Sequence, residues 1–199
     1  MTTFNYQGVM AGSVSTNEIK VGMKVEVDRE PYTIISNEFV KPGKGQAFNR
    51  IKMKNMITAR VVERTYKSGE KLDSADIEEN QMRYLYKDAD GATFMDDKTF
   101  DQVTIGNDLI SPIKDWLMEE VIYQVVFYKG SPIEVAPPTF MEMKIIETSP
   151  GVRGDTSGRV LKPATTETGA IVQVPIFIDE GEKVRIDTRT GEYVSRVND

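Results

Sequence analysis

The sequence between residues 32 and 55 contains two strand-like runs, Tyr32 to Val40 and Ala47 to Asn55, which flank Lys41-Pro42-Gly43-Lys44-Gly45-Gln46. This arrangement predicts a β-hairpin whose tip carries Lys44 between two glycines, so no neighbouring side chain crowds the lysine. Pro42 fixes one φ angle and stiffens the approach to the tip. A lysine displayed in this way either ends a solvated turn or reaches into a narrow space. Glycine-rich backbone beside a lysine also suits a phosphate, but the G-x-x-x-x-G-K-[ST] spacing of a nucleotide-binding loop is absent.

The strand after the tip is predicted to be basic on one face. Strict alternation over residues 50–54 places the three basic side chains, Arg50, Lys52 and Lys54, on one side and the two apolar ones on the other. Residues 41–71 hold nine basic side chains against two acidic ones. We interpret this stretch as a surface that faces phosphates. Protection of a sheet edge by positive charge is the alternative.

Charge and turn signals divide the chain into three portions. Residues 1–74 carry a net charge of +4, residues 75–137 carry −8 and residues 138–199 carry −2, within a total of −6. Other alternating runs, at residues 24–28 and 184–187, are bounded by turn-forming residues. Many short strands at close spacing favour small barrels, so the sequence predicts an all-β chain of three small barrel domains with these boundaries. Domains of this size have marginal cores, and we expect them to pack partly on one another.

One short helix is predicted in the middle domain, over residues 112–118. Ser111 can cap it, the proline that follows suits its first position, and Ile113, Trp116 and Leu117 fall on one face. The aromatic residues of this domain sit in apolar patterns, which favours a place in the core over stacking on bases. They are Tyr84, Tyr86, Phe94, Phe100 and Trp116.

A second glycine-rich loop occupies residues 151–159. Its glycines permit close backbone approach, and Asp155, Thr156 and two arginines offer partners for unpaired bases and phosphates. A long polar connection between strands is the alternative.

The carboxylates of the middle domain do not match the spacing of a calcium-binding loop, so we interpret them as a solvated surface and predict no metal site.

Composition excludes several kinds of chemistry. The 199 residues include neither cysteine nor histidine, which excludes disulfides, thiol nucleophiles, Cys/His zinc sites and Ser-His-Asp triads.

No stretch approaches the roughly 20 consecutive apolar residues of a membrane helix. The first residues also lack the pattern of a signal peptide. A soluble, cytoplasmic protein without membrane contact is therefore expected.

Three longer motifs resemble those of the bacterial elongation factor P family. They are Glu38-Phe39-Val40-Lys41-Pro42-Gly43-Lys44-Gly45-Gln46-Ala47-Phe48, Lys162-Pro163-Ala164-Thr165-Thr166-Glu167-Thr168-Gly169-Ala170-Ile171-Val172-Gln173-Val174-Pro175 and Asp187-Thr188-Arg189-Thr190-Gly191-Glu192-Tyr193-Val194-Ser195-Arg196. The similarity runs from Ser15 to the C-terminus. It implies an N-terminal domain of the KOW/SH3-like type followed by two OB-fold barrels, with the one short helix in the middle domain.

The resemblance implies a non-enzymatic translation factor. Such a factor binds the 70S ribosome beside the peptidyl-tRNA and stimulates peptide-bond formation where consecutive prolines stall it. Lys44 matches the tip lysine that points at the CCA end of the tRNA, and a lysine-modifying enzyme extends this lysine in many members. No cofactor is implied, and a monomer is expected.

The resemblance also marks further positions. Residues at 42, 43, 45 and 46 match the loop that holds the tip lysine, and Gly154-Asp155-Thr156 matches a loop associated with the exit-site codon of the messenger RNA. Tyr193 and Arg196 match C-terminal positions linked to activity. The tip loop is thus Pro42, Gly43, Gly45 and Gln46, and the candidate RNA-binding residues are Lys41, Arg50, Lys52, Lys54, Gly154, Asp155, Thr156, Tyr193 and Arg196.

Two other classes of protein remain open from the residues alone. A KOW-type ribosomal or transcription accessory protein would share the basic first portion, but would not require the motif at residues 162–175. An enzyme that used Lys44 as an amine nucleophile would need a desolvated amine. The exposure of the Lys44 side chain separates that class from a factor whose lysine reaches outward.

Overall fold

The computed structural model describes residues 12–150 and 160–197 of the chain. Within these ranges the secondary structure is almost entirely β, as the alternating sequence predicts. Three sheets follow one another along the chain, and the third is a closed barrel. The predicted all-β fold of small barrel-like sheets with one short helical segment is confirmed.

The first sheet has six described strands in the order β1-β6-β2-β3-β4-β5, and all its pairs are antiparallel. These strands are β1 (Ser13–Ser15), β2 (Lys24–Val27), β3 (Glu30–Val40), β4 (Phe48–Asn55), β5 (Val61–Lys67) and β6 (Lys71–Ser74). Its core is built from inward-facing apolar residues, among them Val25, Ile34, Ile51 and Met53, each at most 1% exposed.

The second sheet has the order β11-β10-β7-β8-β9. Its strands are β7 (Ile77–Lys87), β8 (Gly91–Asp96), β9 (Gln102–Gly106), β10 (Ile122–Tyr128) and β11 (Ser131–Ala136). Tyr84, Phe94 and Tyr123 are buried and pack ring against ring, with centroid separations from 5.5 to 6.2 Å. Aromatic packing of this kind stabilises a small core.

The helical segment lies between β9 and β10. Helix α1 (Asn107–Ile110) runs directly into a 3-10 helix (Ser111–Trp116), in which Ile113 is buried and Trp116 is half-buried. The expectation that Ser111 caps the helix is wrong, because the residues before it are already helical and Ser111 itself has helical φ and ψ.

Two of the aromatic residues predicted for the core are instead exposed. Tyr86 follows a register shift between Tyr84 and Tyr86 in the pairing of β7 with β8, and such a bulge changes the face that the next side chain occupies. Phe100 lies in the turn between β8 and β9 with a positive φ of 62° and is 70% exposed.

The third sheet closes in the order β12-β13-β14-β16-β15. Its strands are β12 (Phe140–Thr148), β13 (Leu161–Thr166), β14 (Ile171–Pro175), β15 (Lys183–Asp187) and β16 (Glu192–Val197). Closure depends on β16, which pairs antiparallel with β15 and parallel with β14. Met143, Ile145, Val174 and Ile186 are fully buried inside this barrel.

The packing of the chain divides it into two compact units. One contains the chain up to Glu79 together with Val126–Glu134, and the other contains Asn80–Val125 and the chain from Val135 onward. The three-domain division at 1–74, 75–137 and 138–199 remains a prediction.

Candidate functional site

Lys44 lies in the connection between β3 and β4. These strands pair from Tyr32 opposite Asn55 up to Val40 opposite Phe48, and the segment that includes Lys44 joins them. Gly45 has a φ of +112°, a conformation that L side chains rarely adopt, whereas Gly43 lies outside that region. The turn therefore requires a glycine on one side of the lysine only.

The Lys44 side chain is exposed. No residue in the described part of the chain forms a hydrogen bond or an ion pair with it. Lys41, Gly43 and Gln46 are likewise exposed, and Pro42 is half-buried. An amine in this setting is solvated and free to extend, which is unlike the desolvated amine of a lysine nucleophile.

The basic face of β4 forms as the alternation predicts. Arg50, Lys52 and Lys54 are exposed, while Ile51 and Met53 between them are fully buried. The three basic side chains therefore line one solvent-facing surface of the hairpin, on the strand that leads away from Lys44.

Two carboxylates whose pairing with Arg50 the sequence interpretation did not include reduce the charge of this face. Arg50 Nη1 lies 3.5 Å from Glu38 Oε2 on β3, and Arg50 Nε lies 3.6 Å from Glu63 Oε1 on β5. Glu63 also stands opposite Lys52 in the register of β4 and β5. Lys54 is opposite Thr33 and Val61, so its charge is the least compensated of the three. Cross-strand register could have indicated these pairs once the strands were aligned.

The candidate residues of the third barrel belong to the other compact unit. Tyr193 is half-buried and packs against the barrel core. Arg196 Nη2 forms an ion pair with Glu182 Oε1 at 2.8 Å. Gly154, Asp155 and Thr156 lie outside the described residues.

The turn that precedes β16 is held by an arginine. Arg189 donates Nε–H to Asp187 Oδ1 at 3.0 Å and Nη2–H to Asp187 Oδ2 at 2.6 Å. These bonds lower the pKa of Asp187 below its ordinary value. A carboxylate held in this charged form fixes the entry into the strand that carries Tyr193 and Arg196.

The described residues contain neither a cluster that could hold a metal ion nor a helix that could span a membrane. Among these residues no group of three or more carboxylates is placed to hold a metal ion. None of the described helices is long and apolar enough to cross a membrane.

Comparison with known families identifies the three portions of the chain. The family model described as the elongation factor P KOW-like domain matches residues 15–72, that of the elongation factor P OB domain matches residues 77–135, and that of the elongation factor P C-terminal domain matches residues 141–196. The chain belongs to the elongation factor P family. It is a translation elongation factor and not an enzyme, and the match to all three models decides against a KOW-type accessory protein.

Several similar proteins carry the name elongation factor P 2. The one from Protochlamydia amoebophila is 64% identical over 186 residues, which is 93% of this chain and 98% of that protein. The proteins from Chlamydia caviae and Chlamydia trachomatis are 63% and 61% identical over the same coverage.

Solved structures show the same fold at low identity. The eukaryotic translation initiation factor 5A from Methanococcus jannaschii superposes with a TM-score of 0.54 at 19% identity, over 67% of this chain and 98% of that one. A translation initiation factor eIF-5A family protein from Naegleria fowleri gives 0.52 at 16% identity, over 63% of this chain and 98% of that one.

Proposed function

We propose that this factor binds the 70S ribosome beside the peptidyl-tRNA and stimulates peptide-bond formation, relieving stalling at consecutive prolines. In this proposal the Lys44 tip reaches the CCA end of the tRNA. The observation that supports it most directly is the exposed Lys44 amine, which has no partner among the described residues and stands on an ordered hairpin.

The chemistry that this arrangement offers is positioning rather than acid-base catalysis. Proline is a constrained participant in peptide transfer, and holding a reactant in a near-attack geometry lowers an entropic barrier without any proton transfer. A chain without histidine or cysteine suits that role. The cationic amine of Lys44 would attract tRNA phosphates, and extension by a lysine-modifying enzyme would add reach.

In this proposal the basic face of β4 binds the tRNA independently of its nucleotide sequence. Arg50, Lys52 and Lys54, with Lys41 near the tip, would contact phosphates of the tRNA. Gly154-Asp155-Thr156 would contact the exit-site codon, and Tyr193 and Arg196 would contribute from the third barrel. The factor would act as a monomer in the cytoplasm, without a cofactor.

The test is translation of a reporter that contains consecutive prolines, beside a proline-free control, with each variant as the only source of the factor. Lys44→Ala should abolish relief of stalling, because it removes the side chain that the proposal places at the CCA end of the tRNA. Its free energy of unfolding should stay within about 0.5 kcal/mol of the parent, as expected for an exposed residue. Lys44→Arg should also be defective if a modifying enzyme requires the lysine amine.

Lys98→Ala provides the control, since it removes an exposed lysine from a turn outside the candidate site. Full activity of Lys44→Ala would refute the role assigned to Lys44. An equal loss on both reporters would show a general defect of translation, and would contradict the specific relief of proline stalling.

A further inference from the structure

Among the described strands, none pairs with the outer edge of β3 in the half of the hairpin that carries Lys44. Strand β2 pairs with β3 only from Glu30 to Thr33, and the main-chain bonds continue as far as Ile34. A register shift between Ile34 and Ser36 follows, and a bulge of this kind bends the strand. Beyond it, among the described strands, β3 pairs with β4 alone, so its outer edge needs another support.

The side-chain amides of Asn37 and Asn49 supply that support by bonding the hairpin to the segment that follows β1. Asn37 on β3 donates through Nδ2 to the carbonyl oxygens of Thr16 at 2.8 Å and Ile19 at 3.0 Å. Asn49 on β4 donates through Nδ2 to Asn37 Oδ1 at 3.0 Å and to the Thr16 carbonyl at 3.3 Å. Both strands of the hairpin are thus bonded to the same carbonyl.

Thr16 is itself fixed to the turn between β5 and β6. It is fully buried, and its backbone N–H donates to the Glu70 carbonyl at 2.8 Å. Its hydroxyl donates to the Lys67 carbonyl at 3.2 Å and accepts from the Gly69 N–H at 3.0 Å. The bonds therefore run without interruption from the hairpin, through Thr16, to the turn that follows β5.

We infer that Thr16, Asn37 and Asn49 are positioning residues, which fix the direction in which the bent hairpin presents Lys44. This inference rests on the proposed function of Lys44. Asn49 is 2% exposed, and its Oδ1 atom has no hydrogen-bond partner among the described residues. A buried acceptor without a partner costs stability, so stability alone does not explain an amide at this position.

The same strand contains a matched control for this inference. Asn55 is also 2% exposed and faces the same side of β4, but it lies roughly 20 Å from Asn49 along the strand, at the end remote from the tip. Its amide binds Glu30 Oε2 at 2.8 Å and accepts from the backbone of Ile57 and Thr58. Asn55→Leu thus removes a comparable buried amide without touching the hairpin tip.

The experiment compares Asn49→Leu, Asn55→Leu and Asn37→Ala in the full chain. Backbone amide order parameters of Gly43, Lys44 and Gly45 report the order of the tip, and far-UV circular dichroism reports the fold. Asn49→Leu and Asn37→Ala should lower these order parameters towards the values below about 0.6 that mark flexible backbone, while Asn55→Leu should leave them unchanged. Relief of proline stalling should fall by about tenfold or more in the first two variants, at unchanged affinity for ribosomes.

Unchanged order parameters in Asn49→Leu and Asn37→Ala would overturn the inference, and so would an equal loss of order in Asn55→Leu. If Asn49→Leu does not fold, Asn37→Ala decides alone, because Asn37 is only half-buried. Full activity of Lys44→Ala would instead refute the proposed function. The order parameters would still decide whether the three residues hold the tip.

Discussion

Glu26 on β2 contacts Tyr128 and Lys129 at the end of β10, two segments that are far apart in the chain. Tyr128 donates its hydroxyl to Glu26 Oε2 at 2.8 Å, and the ammonium of Lys129 lies 3.0 Å from Glu26 Oε1. The hydrogen bond from Lys129, followed by that from Tyr128, lowers the pKa of Glu26 below its ordinary value of 4.5. The negative charge of Glu26 therefore contributes to the stability of the first compact unit.

Glu26→Gln should reveal this contribution through its dependence on pH. Because the pKa is lowered by folding, the stabilisation is complete above about pH 4.5 and is lost as the pH falls through the pKa of the folded state. Urea unfolding between pH 7 and pH 3 should show Glu26→Gln less stable than the parent at pH 7, and the difference should shrink on acidification. Glu134→Gln, at an exposed site in the same unit, should show no such trend. A difference that stays constant with pH would contradict the role of the charge.

Individual residues differ in how far the sequence predicts their surroundings. The place of Lys44 and the exposure of Arg50, Lys52 and Lys54 follow from local signals, namely two flanking glycines and a period of two. The pairing of Asn49 with Thr16 joins positions 33 residues apart, which no local pattern encodes. The sequence signal for this contact is Asn49 itself, an asparagine at an inward position of an alternating strand.

Strand β4 combines a buried face with a charged face that is only partly compensated. Its inward residues Ile51 and Met53 anchor the hairpin in the core, so the outward side chains are free to serve binding. Exposed ion pairs such as those of Arg50 with Glu38 and Glu63 contribute only about 0–1 kcal/mol each. They nevertheless reduce the charge that a phosphate would meet, most of all at Arg50.

The salt dependence of tRNA or ribosome binding should reflect this difference along the strand. Lys52→Gln combined with Lys54→Gln should lower the slope of log affinity against log salt by about two units, since each lost phosphate contact removes roughly one. Arg50→Gln should lower it less, and Glu63→Gln, which frees Arg50, should raise it. Lys98→Gln removes one positive charge from the acidic middle portion, as each single substitution does on β4, and should leave the slope unaltered. An unchanged slope in the double variant would show that the basic face does not contact phosphates. Edge protection is not the alternative, because β4 lies between β3 and β5 in the sheet.

Whole strands are predicted well where alternation is strict and poorly where a bulge interrupts it. The alternation of residues 50–54 and 184–187 falls within β4 and β15, and that of residues 24–28 extends one residue beyond the end of β2. The bulges in β3 and β7 add a residue to one strand only, and they arise from the fit between neighbouring strands rather than from any one segment. This is why the bend of the Lys44 hairpin and the exposure of Tyr86 were missed.

The segment after the 3-10 helix belongs to the packing of the third barrel. Trp116, Met118 and Val121 are half-buried against the core cluster of that barrel, and Thr168 donates its hydroxyl to the Asp115 carbonyl at 2.6 Å. All these residues lie in one compact unit. These contacts join residues on the two sides of the predicted boundary near Pro137, and the identity of the contacting residues depends on tertiary structure. We therefore propose that the domain boundary near Pro137 is crossed by packing rather than left as a free linker.

Trp116 is the only tryptophan of the chain, so its fluorescence should report the unfolding of the third barrel. Val174→Ala removes two methyl groups from a fully buried position in that barrel and should lower the free energy of unfolding by about 2 kcal/mol. Val194→Ala makes the same change at a position 47% exposed and should cost less than about 0.5 kcal/mol. The denaturation midpoint measured by Trp116 fluorescence should shift with Val174→Ala. It should agree with the midpoint of the far-UV circular dichroism transition that the same substitution shifts. If the fluorescence midpoint stayed fixed while circular dichroism shifted, the contact of Trp116 would not be part of the cooperative unit formed by the barrel.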